Sequence, residues 1–297
     1  MVRAQAQAFV HVVEVWVPDR NVLRHRSGAY GKHTDYAKRS VTTTYRRGEG
    51  LPGAAWASGR VVVWQELRKH LVRGESAHEH GLDAGVAIPI YRGEALTSVL
   101  VILCGEKRRA GGCIEVWEPT SRNELAHAGA YYGRLEESMG EVSRAMRFAR
   151  GVGLPGVTWQ RGTPFLIEAL QTADVFQRSA LAAQSGLCTG LGIPLYRGGD
   201  LAQVLLLLSA QSSPIARAYE VWVPDALGHL RLDQAVYGKG LDRFGVLSRS
   251  TMFAPGEGLP GKVAQSGQPV VFGNIQVGPF IRHRAAEEAG LEVGVGI

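Results

Sequence analysis

The sequence predicts repeated α+β domains, each an antiparallel sheet with short helices packed on it. Three observations carry that prediction. A strand-like run containing Glu-Val-Trp occurs at Glu14, Glu115 and Glu220. A Gly-x-Gly-Leu-Pro-Gly loop occurs at Gly48, Gly151 and Gly256. A Gly-Leu pair followed by small residues occurs at Gly81, Gly186 and Gly290. The order is the same each time and the offset is about 100–105 residues, the size of a domain rather than of a solenoid unit. The expected division is residues 1–105, 106–212 and 213–297.

Each copy opens with a strand, "VVEVWVPD" or "AYEVWVPD", then a turn and a second strand ending in Tyr-Gly at Tyr30, Tyr132 and Tyr237. Turn residues such as "PDRN" make the pair an antiparallel hairpin. A mixed segment leads to the glycine loop. The loop fits the dinucleotide pattern Gly-x-Gly-x-x-Gly, but its surroundings do not. Gly59, Gly162 and Gly267 stop the following helix six residues past the third glycine. The downstream acid that would hold a ribose is absent as a repeated feature, the position holding Gln65, Glu168 and Gly273. Pro52, Pro155 and Pro260 lack the N–H of a phosphate cradle. The loop therefore predicts a turn and a helix of one to two turns, with proline at its first position and glycine past its end.

A strand such as "RVVVWQEL" or "QPVVFGNI" follows, then a helix, clearest in "FQRSALAAQSGL" and "FIRHRAAEEAGL". Gly186 or Gly290 with the next leucine is the Schellman pattern of a helix end. "GLGIPLYRGGDLAQVLLLLSA" closes the copy as a hairpin. Copy three stops at Ile297, before the apolar strand that the others carry as "VLVILCG" and "VLLLLSA". The expectation is that this copy lacks a central strand, leaving two neighbouring edges without a partner. A fragment of a longer protein is the preferred reading of this end, with completion by the N-terminal strand or by a second molecule as the alternatives. The connectors at 105–113 and 209–217 are short, so a permuted division near residues 82 and 187 is the alternative.

Composition bounds the function. The chain has 297 residues, 45% hydrophobic and 20% charged, with formal net charge +6. That is ordinary for a soluble globular protein. No apolar run reaches the roughly 20 residues of a membrane span. The start "MVRAQAQAFVHVV" lacks a signal-peptide core, so the expected location is cytoplasmic. Lysines and arginines are dispersed, the densest run being "EKRRAGG", which disfavours nucleic acid as a partner. Cys104, Cys113 and Cys188 form no ligand cluster, so no metal site is expected. Cys104 and Cys113 bracket a connector and would lie opposite each other if one strand turned straight into the next. His25 and His127 align, but copy three has Leu232 there.

The glycine loop with its following "W..SG", the "F.R…A…GL" helix and the closing "VL.LLS" strand together resemble the GAF domain family. The resemblance covers nearly the whole chain, three times. It implies α+β sensor domains on an antiparallel sheet, whose members bind cyclic nucleotides, bilins, haem or small metabolites. The Asn-Lys-Phe-Asp-Glu signature of cyclic-nucleotide members is absent, and no cysteine here precedes a histidine as in bilin binders. The branch that reduces free methionine sulfoxide carries a cysteine in the glycine loop. Leu-Pro stands there in all three copies, and proline cannot replace a thiol nucleophile.

The expected ligand-facing residues are Trp16, Tyr30, Arg73, Trp117, Tyr132, Trp159, Phe176 and Arg178. The tryptophans are read either as pocket walls or as core. Arg73, Arg178 and Arg282 share one aligned position and are read either as anion holders or as structural donors to carbonyls or surface partners. No catalytic residue is expected and no cofactor is named. The leading expectation is a non-enzymatic sensory or regulatory protein binding a small molecule or a protein partner, including a second copy of itself. Alternatives are a thiol-dependent redox enzyme of the same fold, resembling methionine sulfoxide reductase, and a scaffold with filled pockets.

Overall fold

The structure is a computed structural model that describes residues 8–70, 77, 79–105 and 111–297. Copy one supplies β1 (Val10–Asp19), β2 (Val22–Ala29), β3 (Thr44–Arg46), β4 (Val62–Trp64), β5 (Ala84–Arg92) and β6 (Ala95–Cys104). They form one antiparallel sheet in the order β3-β2-β1-β6-β5-β4. Copy two supplies β7 (Cys113–Pro119), β8 (Glu124–Tyr131), β9 (Arg147–Ala149), β10 (Phe165–Ile167), β11 (Leu187–Arg197) and β12 (Asp200–Ala210). Their order is the same, β9-β8-β7-β12-β11-β10. Copy three has β13 (Ala218–Pro224), β14 (Leu230–Tyr237) and β15 (Met252–Phe253) in one small sheet. Its β16 (Val270–Phe272) and β17 (Gly294–Gly296) form another. The protein is thus α+β, with the same antiparallel design used repeatedly.

Helices α1 (Thr34–Thr42), α2 (Gly50–Ser58), α3 (Glu141–Ala145), α4 (Gly153–Arg161), α5 (Ser179–Ser185), α6 (Asp242–Ser250), α7 (Gly258–Ser266) and α8 (His283–Glu288) pack on these sheets. None of the described helices is long and apolar enough to cross a membrane. Helices α2, α4 and α7 are the glycine-loop helices. Each has nine residues, about two and a half turns, half a turn more than the sequence suggested. The reason is that each begins two residues before the proline, which occupies the third helical position, still within the tolerated first turn. Gly59, Gly162 and Gly267 end them with φ of 67°, 67° and 61°, the left-handed C-cap.

The loop glycines are steric requirements. A Cβ on Gly53, Gly156 or Gly261 would lie 2.1–2.2 Å from a backbone carbonyl oxygen of the preceding strand region. The first glycine N–H donates to the third glycine carbonyl at 2.8, 2.8 and 2.7 Å. The loop therefore closes on itself rather than presenting donors to a phosphate. The Schellman end is present in copy three, where Leu291 N donates to Ala286 O at 2.8 Å and Gly290 N to Glu287 O at 3.0 Å.

Strand β1 carries apolar side chains on both faces between Val12 and Trp16, apart from Glu14, because both faces are buried there. Val12 and Trp16 face the core of copy one. Val13 and Val15 face a shared cluster with Ile114, Val116, Tyr131, Leu205 and Leu207 of copy two. Contacts between copies run in a cycle: β4 touches β8, β10 touches β14, and β16 touches β2. Gln65 Nε2 donates to Ala130 O at 3.1 Å, and Leu166 N to Gln234 Oε1 at 2.9 Å. The same edge of each copy thus meets the first hairpin of the next, and the ring closes.

Cys104 and Cys113 do not face each other. Cys104 pairs with Val10 and Ala84 and lies in the shared cluster, whereas Cys113 pairs with Leu208 in the core of copy two. All three cysteines are free thiols.

Candidate functional site

The first strand of every copy carries a β-bulge between the valine and the tryptophan of Glu-Val-Trp: Val15/Trp16, Val116/Trp117 and Val221/Trp222. Bulges re-aim side chains. Here the tryptophan indole donates back to the carboxylate two residues earlier. The distances are 3.1 Å for Trp16–Glu14, 3.1 Å for Trp117–Glu115 and 3.0 Å for Trp222–Glu220.

Further donors converge on the same carboxylate. In copy two Ser143 donates to Glu115 Oε1 at 2.9 Å, and Arg178 clasps both oxygens, with Nη2–Oε2 at 2.9 Å. In copy three Tyr237 donates to Glu220 Oε1 at 2.8 Å and Arg282 clasps both oxygens, with Nη2–Oε2 at 2.9 Å. Ser248 accepts from Arg282 there as Ser143 does from Arg178. In copy one Tyr30 donates to Glu14 Oε1 at 3.1 Å, and Ser40 donates to the same oxygen.

The ion pair of copy two is fully enclosed, with side-chain exposure of 2% for Arg178 and 0% for Glu115. Burial alone pushes the Glu115 carboxyl up. The Arg178 charge and the hydrogen bonds from Arg178, Ser143 and Trp117 outweigh it, and the net shift is downward. Burial works against the Arg178 cation too, and Glu115 reverses that. Glu220 is likewise lowered, its burial being outweighed by Arg282, Ser248 and Tyr237. Desolvation, helped by the Glu115 charge, pushes the Tyr132 hydroxyl up. The bidentate geometry is what a buried ion pair needs to offset desolvation.

Copy one contains a cavity of about 20 Å³ beside the Glu14 carboxylate, room for about one water molecule. Glu14, Tyr36, Tyr45, Leu51 and Leu67 border it, together with Trp64 and His70. Trp64 and His70 stack face to face, with centroids 3.4 Å apart and planes 8° from parallel. Both rings are half-buried. Copy two holds Ile167 and Ala173 at the aligned positions, so this stack belongs to copy one.

Of the residues singled out from sequence, Trp117, Phe176 and Arg178 meet around Glu115. The Arg178 guanidinium carbon lies 5.9 Å from the Trp117 ring centre and 5.0 Å from that of Phe176. Trp16 and Tyr30 meet at Glu14. Tyr132 is buried and bonds the ring of His127 at 3.0 Å. Trp159 packs half-buried on the core under Arg150. Arg73 lies outside the described residues. Arg178 and Arg282 bond a carboxylate and a hydroxyl, neither a backbone carbonyl nor a surface partner, because the bulged strand turns its glutamate inward. Sequence reasoning missed the glutamates and serines as site residues. The signal was there: Glu-x-Trp recurs with Arg, and a serine stands at 40, 143 and 248.

Burial pushes the thiols of Cys104 and Cys113 well up, which suppresses the thiolate. Among the described residues no group of three or more His, Cys, Asp or Glu is placed to hold a metal ion.

No family model matches the chain, and no curated protein matches it. Solved structures do. The free methionine-R-sulfoxide reductase of Neisseria meningitidis, solved with its substrate, is 17% identical. That match covers 35% of this chain and 53% of that one, at a TM-score of 0.27. The nlh2 GAF domain of A. aeolicus, in an inactive state, is 19% identical over 33% and 57%, at 0.27. A GAF domain/HD domain protein from Geobacter sulfurreducens is 17% identical over 34% and 65%, at 0.29. The chain thus spans between half and two thirds of the length of these structures.

Proposed function

We propose that the chain is a non-enzymatic sensory or regulatory protein of tandem GAF-like domains, in which domain 1 binds a small molecule. The observation that carries this reading is the cavity between the Glu14 carboxylate and the half-buried Trp64–His70 stack. A concave site with aromatic walls and one charged group is the usual form of a small-ligand site. Its present volume is that of a water, so a larger ligand enters by displacing the two stacked rings. Arg178 and Arg282 are bound to Glu115 and Glu220, and their part is structural. The suppressed thiols of Cys104 and Cys113 favour binding over thiol chemistry.

The test is native mass spectrometry of the full chain after incubation with a small-molecule extract of its source cells. One adduct per chain is expected, lost in Leu51→Phe, which fills the domain 1 cavity, and kept in Leu154→Phe at the aligned position of domain 2. An adduct that survives Leu51→Phe, with that variant folded by circular dichroism, contradicts the assignment.

A further inference from the structure

Three histidines of copy one come from separate stretches of chain and meet. His11 lies on β1, His33 between β2 and α1, and His80 shortly before β5. His11 Nδ1 and His33 Nε2 are 3.2 Å apart, and the other ring nitrogen of His11 lies 3.1 Å from Ala8 O. The ring centres of His33 and His80 are 5.9 Å apart at 84°, and the Tyr36 ring meets His80 edge-on at 5.9 Å. His33 is 4% exposed, while His11 and His80 are half-buried.

The short contact limits the protons the cluster tolerates. Two imidazole nitrogens at this distance share one hydrogen, one ring donating and the other accepting. When both rings are cations, both nitrogens carry hydrogen and the contact turns repulsive. Among the described residues the charged groups acting on His33 are His11, Lys32 and His80, each a cation when charged. The acids of α1 and of the His80 segment, Asp35 and Glu79, are paired with Lys38 and Arg39, and Asp35 also faces His80. Burial first, and then these cations, lowers the His33 imidazole from its ordinary 6.5 to about 4.

The other copies build the same place without histidine. The residue directly before the helical segment is His33 in copy one, Leu135 in copy two and Leu241 in copy three, all of them buried. The position of His11 holds Gly112 and Arg217. Arg217 Nη1 donates to Ala289 O at 2.8 Å and to Gly290 O at 3.2 Å, a contact that does not titrate.

We propose that the His11–His33–His80 cluster is a pH-sensitive latch. With its rings neutral it fastens the start of β1 to α1 and to the segment entering β5. Acid charges the rings and releases α1. That helix carries Tyr36, which borders the cavity of copy one, and Ser40, which donates to Glu14, so release loosens one wall of the cavity. The direction follows from the shift. A histidine whose folded value is depressed contributes stability that is complete above its ordinary value and is lost as pH falls from 6.5 to about 4.

The experiment is hydrogen exchange of the full chain, read by mass spectrometry at two pH values and corrected for the intrinsic pH dependence of exchange. Between about pH 7.5 and about pH 5 the opening constant of α1 rises about 30-fold. Helix α6 of copy three, which follows Leu241, shows no such rise. His33→Leu, which installs the residue of the other copies, and His33→Gln, which keeps a side-chain donor, each abolish the response of α1. Unchanged protection of α1 in the wild-type chain, an equal loss in α6, or a loss in α1 that persists in either variant overturns the proposal.

Discussion

At the scale of single residues, the repeated unit is a carboxylate held by an indole and a hydroxyl, and Glu115 and Glu220 are clasped by the guanidinium of Arg178 and Arg282. Arg178→Met leaves Glu115 buried beside no cation, and the expected loss is about 3–5 kcal/mol. Adding Glu115→Leu removes the orphaned charge, so the double variant recovers most of that loss. Chemical denaturation of the four proteins of the cycle checks this; equal losses in single and double variants would contradict it. The acid limb follows from the same pair. The folded Glu115 carboxyl lies below its ordinary value of 4.5. Its contribution is therefore complete above that value and is lost as pH falls through the depressed one. The double variant lacks that share of acid sensitivity. The arginines were legible because all three copies keep them. Their partner was not, because the direction of a side chain at a bulge depends on register, which periodicity does not report.

At the scale of elements, the glycine loop was legible as structure rather than as a nucleotide cradle. Helix caps at Gly59, Gly162 and Gly267 and the Schellman end at Gly290 follow from local chemistry, which sequence carries well. Helix starts are less legible, since nothing in "GLPG" says whether the turn or the helix owns its first glycine. The third loop glycine gives a sharp test. Gly156→Ala places a methyl group 2.1 Å from Ala149 O, and overpacking of this kind costs about 1–3 kcal/mol. Gly129→Ala is the control, with its added carbon 3.7 Å from Val63 in ordinary contact. Thermal melts should show a clear drop for Gly156→Ala and a shift near zero for Gly129→Ala. Equal shifts would mean that the carbonyl moves aside and that the loop glycine is not required.

At the scale of the whole molecule, three copies form a cycle in which each sheet edge meets the next hairpin. The repeat was legible because landmarks recur in order; the cycle was not, because contacts between copies involve short strands and single residues such as Gln65 and Gln234. The copies share a design, and the proposed function divides the work among them. Copies two and three hold a buried ion pair at Glu115 and Glu220, and in copy one a small cavity is bordered by the Trp64–His70 stack. The most direct test of that division uses the tryptophan indole N–H signals in a nitrogen–proton correlation spectrum of the full chain, with the ligand from the native mass experiment added stepwise. Trp64 borders the cavity of copy one and Trp16 is tied to Glu14 on its border, whereas Trp117 and Trp222 are tied to Glu115 and Glu220. A binding site in copy one predicts that the Trp16 and Trp64 signals move while those of Trp117 and Trp222 stay in place. Movement of Trp117 or Trp222 with Trp16 and Trp64 unchanged would contradict it.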